Sequence, residues 1–189
     1  MVYGEYAQQP AVDLTKLLAQ HFPAPLEKTY LTNSGTEAIE GSLKLARRYT
    51  GRTEIIAAKN AYHGNTMGSL SLMSFEKRQK PFRPLLGDIS VFEFNNEEDL
   101  KKITPRTAGV IVETIQGGAG FILPKNGYLK KLKQRCEEMG ALLILDEIQP
   151  GFGRTGKLFG FEYFEVVPDI VALGKGMGGG MPIGAFSAS

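Results

Sequence analysis

Cysteine occurs once in this chain, at Cys136. That excludes an intramolecular disulfide framework and suits a reducing compartment, the cytoplasm. Histidine is nearly as scarce: His21 and His63 are the only two, and without a Cys/His cluster a metal has no ligand set. No apolar run approaches the roughly 18 residues of a membrane span, and the first residues lack the basic start and apolar core of a signal peptide. Excess charge is missing as well. The 22 basic residues face 20 acidic ones, for a net charge of +2 without a dense Lys/Arg block, which leaves no electrostatic footprint for nucleic acid.

What is present suits one domain with a sizeable core: 189 residues, 42% hydrophobic and 22% charged. The 23 glycines cluster in polar junctions without a collagen period, a pattern of tight turns around a ligand. The unbroken apolar run 141–145, closed by Asp146, Glu147, Gln149 and Pro150, reads as a buried central strand of a parallel sheet. Ligands of open α/β sheets sit beyond the carboxyl ends of the strands, so its polar end is the first place to look for chemistry. Further strands are expected at 29–32, 54–58, 90–94, 109–113 and 170–173. Helices are expected at 11–21, 34–50, 66–74 and 127–139, with a short one beginning near Asn96 and an exposed basic connection at 77–83. This alternation predicts an α/β fold built on a mostly parallel sheet. The chain stops at Ser189, directly after the Gly-rich run 176–184 and in mid-strand, so it reads as a piece of something longer that lacks a C-terminal part.

Two nucleotide motifs fail. Residues 151–156 fit GxGxxG, but residues 146–150 separate them from the strand and no helical pattern follows. Gly174-Lys175 has Asp169 where a phosphate loop needs its first glycine, and Gly176 where it needs Ser or Thr.

Four other features carry more. Lys175 follows an apolar strand between glycines: either a solvated surface lysine, or a partly desolvated amine able to attack a carbonyl and form a Schiff base. Residues 33–37 open a helix with Ser34 and Glu37 spaced as a capping box. This is ordinary capping or, with the Ser34 and Thr36 hydroxyls added to free N–H groups, an anion site. Tyr62 is a packed aromatic or a stacking plate, with His63 beside it as a base, ligand or stacking group, and Asp146 ends the central strand. Together they meet the four needs of pyridoxal 5'-phosphate (PLP): donors for a phosphate, a face for a ring, a carboxylate for a pyridine nitrogen, and an amine for an aldehyde.

The chain resembles the class III aminotransferases among the fold type I PLP enzymes, in particular the acetylornithine/ornithine branch. The similarity rests on Thr32-Asn-Ser-Gly-Thr-Glu-Ala-Ile-Glu40, Lys44-Leu-Ala-Arg-Arg-Tyr-Thr-Gly51, Ala61-Tyr-His-Gly64, Val112-Glu-Thr-Ile-Gln-Gly117, Leu145-Asp-Glu-Ile-Gln149, Gly151-Phe-Gly-Arg-Thr-Gly156 and Lys175-Gly-Met-Gly-Gly-Gly-Met-Pro-Ile-Gly184, in family order over nearly the whole chain.

The resemblance implies that residues 1–189 are a partial PLP-binding large domain, with helices on both faces of the sheet and the small C-terminal domain absent. Gly35 and Thr36 would hold the phosphate, Tyr62 would stack on the ring, Asp146 would pair with the ring nitrogen and Gln149 would approach the ring oxygen. Lys175 would carry the cofactor and move the proton, while Glu113, Ser34 and His63 would support the site. The implied activity is transfer of an amino group from an ornithine-like, ω-amino acid or amine donor to a 2-oxo acid such as 2-oxoglutarate, by a homodimer. Members that use acetylornithine carry Arg where this chain has Asn65 and a second Glu where it has Gly118. An aminomutase, a phospholyase, or a non-catalytic fragment that binds PLP weakly or serves only in assembly are the alternatives.

Overall fold

Seven strands form one sheet in the order β1-β7-β6-β5-β4-β2-β3, which puts β5, the run that ends in Asp146, in the centre. A computed structural model describes residues 7–189; the first six, where the signal-peptide reading falls, lie outside the described residues. Along the chain come α1 (Gln9–His21), β1 (Lys28–Thr32), α2 (Gly35–Thr50), β2 (Glu54–Ala58), α3 (Met67–Ser71), α4 (Glu76–Gln79), β3 (Ile89–Phe92), β4 (Thr107–Glu113), α5 (Tyr128–Met139), β5 (Leu142–Asp146), β6 (Ile170–Leu173) and β7 (Gly184–Ala188). Only β7 runs against its neighbours, pairing antiparallel with both β1 and β6. The sheet is therefore mostly parallel, as the alternating pattern predicts. No helix among the described residues is long and apolar enough to cross a membrane.

Side-chain alternation along the strands divides the interior into two cores. Leu143, Leu145, Val110, Val112, Val171 and Leu173 face one side, where Leu18 of α1, Phe22 just past its end, Leu129, Leu132 and Cys136 of α5, and the Phe159 and Phe161 rings cover them. Ile144, Ile111, Ile55, Ala57, Ile170 and Ala172 face the other, covered by Ala38, Ile39, Leu43 and Ala46 of α2. Helices thus occupy both faces. The apolar stripe of α2 recurs at three- and four-residue spacing, the period that keeps it on one side of a helix.

Both ends of α2 follow local chemistry. Ser34 Oγ accepts the Glu37 N–H at 3.3 Å, and Gly51 closes the helix in the left-handed conformation at φ 68°. The return bond differs from the expected box: the Glu37 carboxylate accepts the Asn33 N–H at 2.8 Å, one residue before the cap. The helix expected at 66–74 is shorter, Met67–Ser71. Gln79 Nε2 takes up the carbonyls of Leu70 and Ser71 (3.0 and 3.2 Å), acceptors that a longer helix would have paired internally, and Ser74 Oγ is drawn to the Asn60 N–H of the preceding loop at 2.8 Å. The segment beginning near Asn96 is a 3-10 turn, Glu98–Lys102, rather than an α-helix.

Gly184 shows how tightly α2 is seated on β7. A Cβ there would lie 2.6 Å from the Ser34 carbonyl carbon and 2.8 Å from Thr32 Oγ1, and the first of these is backbone that cannot swing away. Gly184→Ala is expected to destabilise the fold by about 1–3 kcal/mol, read as a lower urea midpoint at unchanged slope. An unaltered midpoint would mean the contact is looser than these distances imply.

Candidate active site

A cleft of about 250 Å³ opens beyond the carboxyl ends of the central strands, lined by Gly35, Thr36, Tyr62, His63, Gly64, Asn65, Glu113, Asp146, Ile148, Gln149 and Lys175. Strand alternation explains its carboxylates. Glu113 and Asp146 are direct neighbours in the β4–β5 register, and each has the parity of the α2 face. Both therefore end on the side where the first turn of α2 offers N–H groups without intrahelical acceptors. Glu147 has the opposite parity and serves the other core. It is fully buried and accepts the Thr114 hydroxyl at 2.6 Å and the N–H groups of Gly160 and Phe161 at 2.8 and 2.9 Å, tying β4 to the segment that carries Phe159 and Phe161.

His63 and Asp146, 2% and 3% exposed, are joined by a 2.7 Å hydrogen bond from His63 Nδ1 to Asp146 Oδ2. The other carboxylate oxygen accepts the Ile148 N–H at 3.0 Å. Both Asp146 oxygens are thereby held and the carboxylate cannot rotate. Breaking a buried pair of this kind typically costs about 3–5 kcal/mol, because one partner is left without compensation. His63 Nε2 is buried with no hydrogen-bond partner among the described residues. Glu113 accepts the Tyr62 and Gly117 N–H groups at 3.2 and 3.3 Å. Burial pushes its carboxyl up to about 7; His63 and these N–H groups oppose the rise, and Asp146 adds to it. Burial likewise pushes Glu147 up to about 7, against its three hydrogen bonds.

Lys175 reaches the cleft through a strained backbone. Its φ is 44°, a left-handed conformation that costs a residue with a Cβ about 1–3 kcal/mol. Gly174 before it is extended, and its need for glycine is spatial: a Cβ would lie 3.1 Å from Gly35 Cα. Gly35 in turn abuts Ile148, whose Cδ1 would be 2.8 Å from a Cβ at that position. The start of α2, the end of β6 and the turn after β5 therefore meet at closest backbone approach. Tyr62 is held at both ends: Asn65 Nδ2 donates to its hydroxyl at 2.9 Å, and the Arg78 guanidinium lies 5.3 Å from its ring centroid. Gly117 makes room for Gln149, whose Cδ would be 2.7 Å from a Cβ there.

The residues given a cofactor or supporting role from sequence line this one cleft except Ser34, and Gly118, the donor-side position, also falls outside its lining. Ser34 is spent locally: its hydroxyl oxygen caps α2 and its carbonyl accepts the Thr32 hydroxyl at 3.0 Å. Sequence reasoning missed Gly64 and Ile148. Gly64 has φ 134° and lies where a Cβ would meet the Thr36 side chain, 2.6 Å from its Cβ. Its place directly after His63 in a polar loop was the available signal. Ile148 gave none, since a lone apolar residue in a turn reads as packing.

The fold is that of solved transaminases. Ornithine aminotransferase from Toxoplasma gondii superposes with a TM-score of 0.91 at 30% identity, covering 100% of this chain and 46% of that one. The chain belongs to the class-III aminotransferase family, whose model matches residues 1–189. Among curated relatives, the LysW-aminoadipate semialdehyde/glutamate semialdehyde transaminase of Sulfolobus acidocaldarius is 52% identical over 161 residues, 85% of this chain and 42% of the relative. The acetylornithine aminotransferase of Clostridium acetobutylicum is 48% identical over 194 residues, 99% of this chain and 50% of the relative. The chain spans about half the length of the curated relatives it matches.

The two raised carboxyls set a pH dependence. Each binds its proton more tightly folded, at about 7, than at its ordinary value of 4.5. Their contribution to stability is therefore complete below the unfolded value and lost as pH rises through about 7. Urea midpoints are expected to fall between about pH 5 and 8. Glu147→Gln should make that slope shallower even if the variant is less stable at every pH. A slope equal to that of the parent protein would show that Glu147 does not titrate in this range.

Proposed function

We propose that residues 1–189 form the partial large domain of a PLP-dependent aminotransferase, a cytoplasmic homodimer when whole. It would move an amino group from an ornithine-like, ω-amino acid or amine donor to a 2-oxo acid such as 2-oxoglutarate. The observation that carries this reading is the convergence, in one cleft, of an amine, a clamped carboxylate, an aromatic ring and a helix start bearing a hydroxyl. The cleft fits the cofactor on its own terms. His63 Nε2 is a buried polar atom left without a partner at its wall, the glycines at 35 and 174 leave backbone bare where a Cβ would crowd it, and the donor set matches a phosphate, an aldehyde and a ring nitrogen.

When bound, PLP supplies an electron sink for the pair left on the donor carbon. Asp146, fixed at both oxygens, would face the ring nitrogen and favour its protonated form. The first turn of α2, with Gly35 and Thr36, would bind the phosphate, whose charge the helix start favours. Tyr62 would cover the ring and keep water from it, and Gln149 would donate to the ring oxygen. Lys175 Nζ would hold the cofactor through its aldehyde and, when free, would carry the proton between the amine-bearing carbon of the donor and the cofactor carbon. Glu113, hydrogen-bonded to the Tyr62 backbone, would hold that loop in place.

The donor choice rests on Asn65 and Gly118. Asn65 is engaged with the Tyr62 hydroxyl, and Gly118, where a Cβ would touch Tyr62 Cβ at 3.4 Å, projects nothing over the ring. Neither position offers the charge that acetylornithine users carry there, which favours an amine or ω-amino acid donor of different polarity. The relatives named above are transaminases, and nothing in the cleft favours an aminomutase or a phospholyase.

The test is a panel of amino donors against 2-oxoglutarate with the full-length protein, reading glutamate. At least one ω-amino acid or amine is expected to turn over. After incubation with PLP and borohydride reduction, peptide mass mapping should find the label on Lys175. Lys175→Ala should lose the label, and turnover should fall by about 10²–10⁴-fold from loss of the proton carrier alone. A label on another lysine, or none, would defeat the proposal, and labelling without turnover would leave only a cofactor-binding fragment.

A further inference from the structure

The Thr36 hydroxyl belongs to a built network. Thr36 Oγ1 lies 2.8 Å from Thr66 Oγ1 and 2.7 Å from Ser69 Oγ, and it accepts the Thr66 N–H at 3.4 Å. Behind these groups stands Glu40, four residues along α2 and so on the same helix face as Thr36. A single Glu40 oxygen, Oε1, accepts both the Thr66 hydroxyl at 2.5 Å and the Ser69 backbone N–H at 3.0 Å. Gly68 makes the approach possible: a Cβ there would lie 2.8 Å from the Glu40 carboxyl carbon.

Donor and acceptor counting gives the network a direction. A carboxylate only accepts, so the one hydroxyl proton of Thr66 points at Glu40. Thr66 Oγ1 is left with lone pairs for its neighbours. By the same count the 2.8 Å contact to Thr66 Oγ1 takes the Thr36 proton, which can turn from that neutral acceptor to an anion in the cleft, while Thr36 Oγ1 itself accepts the Thr66 N–H and lies 2.7 Å from Ser69 Oγ. The residues that hold the Thr36 hydroxyl in place bond each other at the start of α3, Ser69 Oγ accepting the Thr66 N–H at 3.1 Å, and one oxygen of Glu40 ties both to α2.

We infer that Glu40 is a positioning residue for phosphate recognition: through the acceptor oxygen Oε1 it fixes Thr66 and Ser69, and through them it aims the Thr36 hydroxyl at a phosphate group in the cleft. This rests on the reading of Thr36 as a phosphate ligand. The role lies in geometry rather than charge, because a second anion this close to a phosphate brings no attraction. Glutamine, whose amide oxygen can take both bonds of Oε1, should therefore replace it.

Affinities for PLP and for pyridoxal, which lacks the phosphate, test this on the purified protein by absorbance titration. A residue that only stabilises the fold would weaken both ligands together. Glu40→Ala is expected to lower the preference for PLP over pyridoxal by about tenfold, and Glu40→Gln to keep it within about twofold of the parent protein. Thr66→Val, which removes the relaying hydroxyl and leaves the Ser69 bond to Glu40, should lower the preference in the same direction and carries the test if Glu40→Ala does not fold. Inorganic phosphate should compete with PLP less well in both weakened variants. An unchanged preference in Glu40→Ala, or in Thr66→Val if only that variant folds, overturns the inference, as does a glutamine variant as weak as the alanine one. A parent protein that binds PLP no better than pyridoxal overturns the cofactor reading and this inference with it.

Discussion

The hydrogen bond from His63 to Asp146 ties the loop after β2 to the end of β5 across the end of β4, where Glu113 stands. Three adjacent parallel strands thus end in titratable groups within one buried patch, and everything else in the cleft is arranged around keeping that patch both dry and directed. The pair is enclosed on the α2 side, the Ile148 N–H holds the second Asp146 oxygen, and the backbone of Tyr62 and Gly117 holds Glu113. Each carboxylate bears its burial because N–H or imidazole donors surround it, which is what separates an ordered acidic site from an unstable one.

Close backbone approach is the second constraint. The glycines at 35, 64, 174 and 184 stand where α2 meets the turn after β5, the loop after β2, the end of β6 and the start of β7, and at each of them a Cβ would press on a neighbouring segment. The helix start can therefore share one cleft with the Lys175 backbone, and Lys175 itself is exposed there with its strained φ of 44°. The family match and the TM-score of 0.91 agree with this architecture, and the comparison with relatives of about twice the length bounds it.

Much of the fold was legible because its signals are local. The apolar run before Asp146, the Ser34 cap, the Gly51 stop and the stripe on α5 each involve residues within a turn or two of one another, where the physical cause and the sequence pattern coincide. The errors also came from non-local partners. The helix at 67–71 is shorter than its pattern predicts: Gln79, eight or nine residues on, takes up the Leu70 and Ser71 carbonyls, and Ser74 bonds the Asn60 N–H of the preceding loop. Ser34 caps α2 as its spacing from Glu37 predicts, yet the Glu37 carboxylate takes the Asn33 N–H, a shift of one residue that spacing does not resolve.

The sequence by itself determined the strand and helix alternation, the central place of the run ending in Asp146, and which residue types could form a cofactor site, because periodicity and polarity act through neighbours in the chain. Only the tertiary structure decided which of the two adjacent acids faces the cleft. Asp146 shares the parity of Ile144 and points toward α2, whereas Glu147 falls on the opposite face and holds the Gly160 and Phe161 N–H groups. It also decided that Glu40 stands behind Thr36 through Thr66, a contact between residues 26 positions apart that exists only once α2 and α3 are packed. The alternation of side chains is written in the chain, but the direction of each face is set by what packs against it.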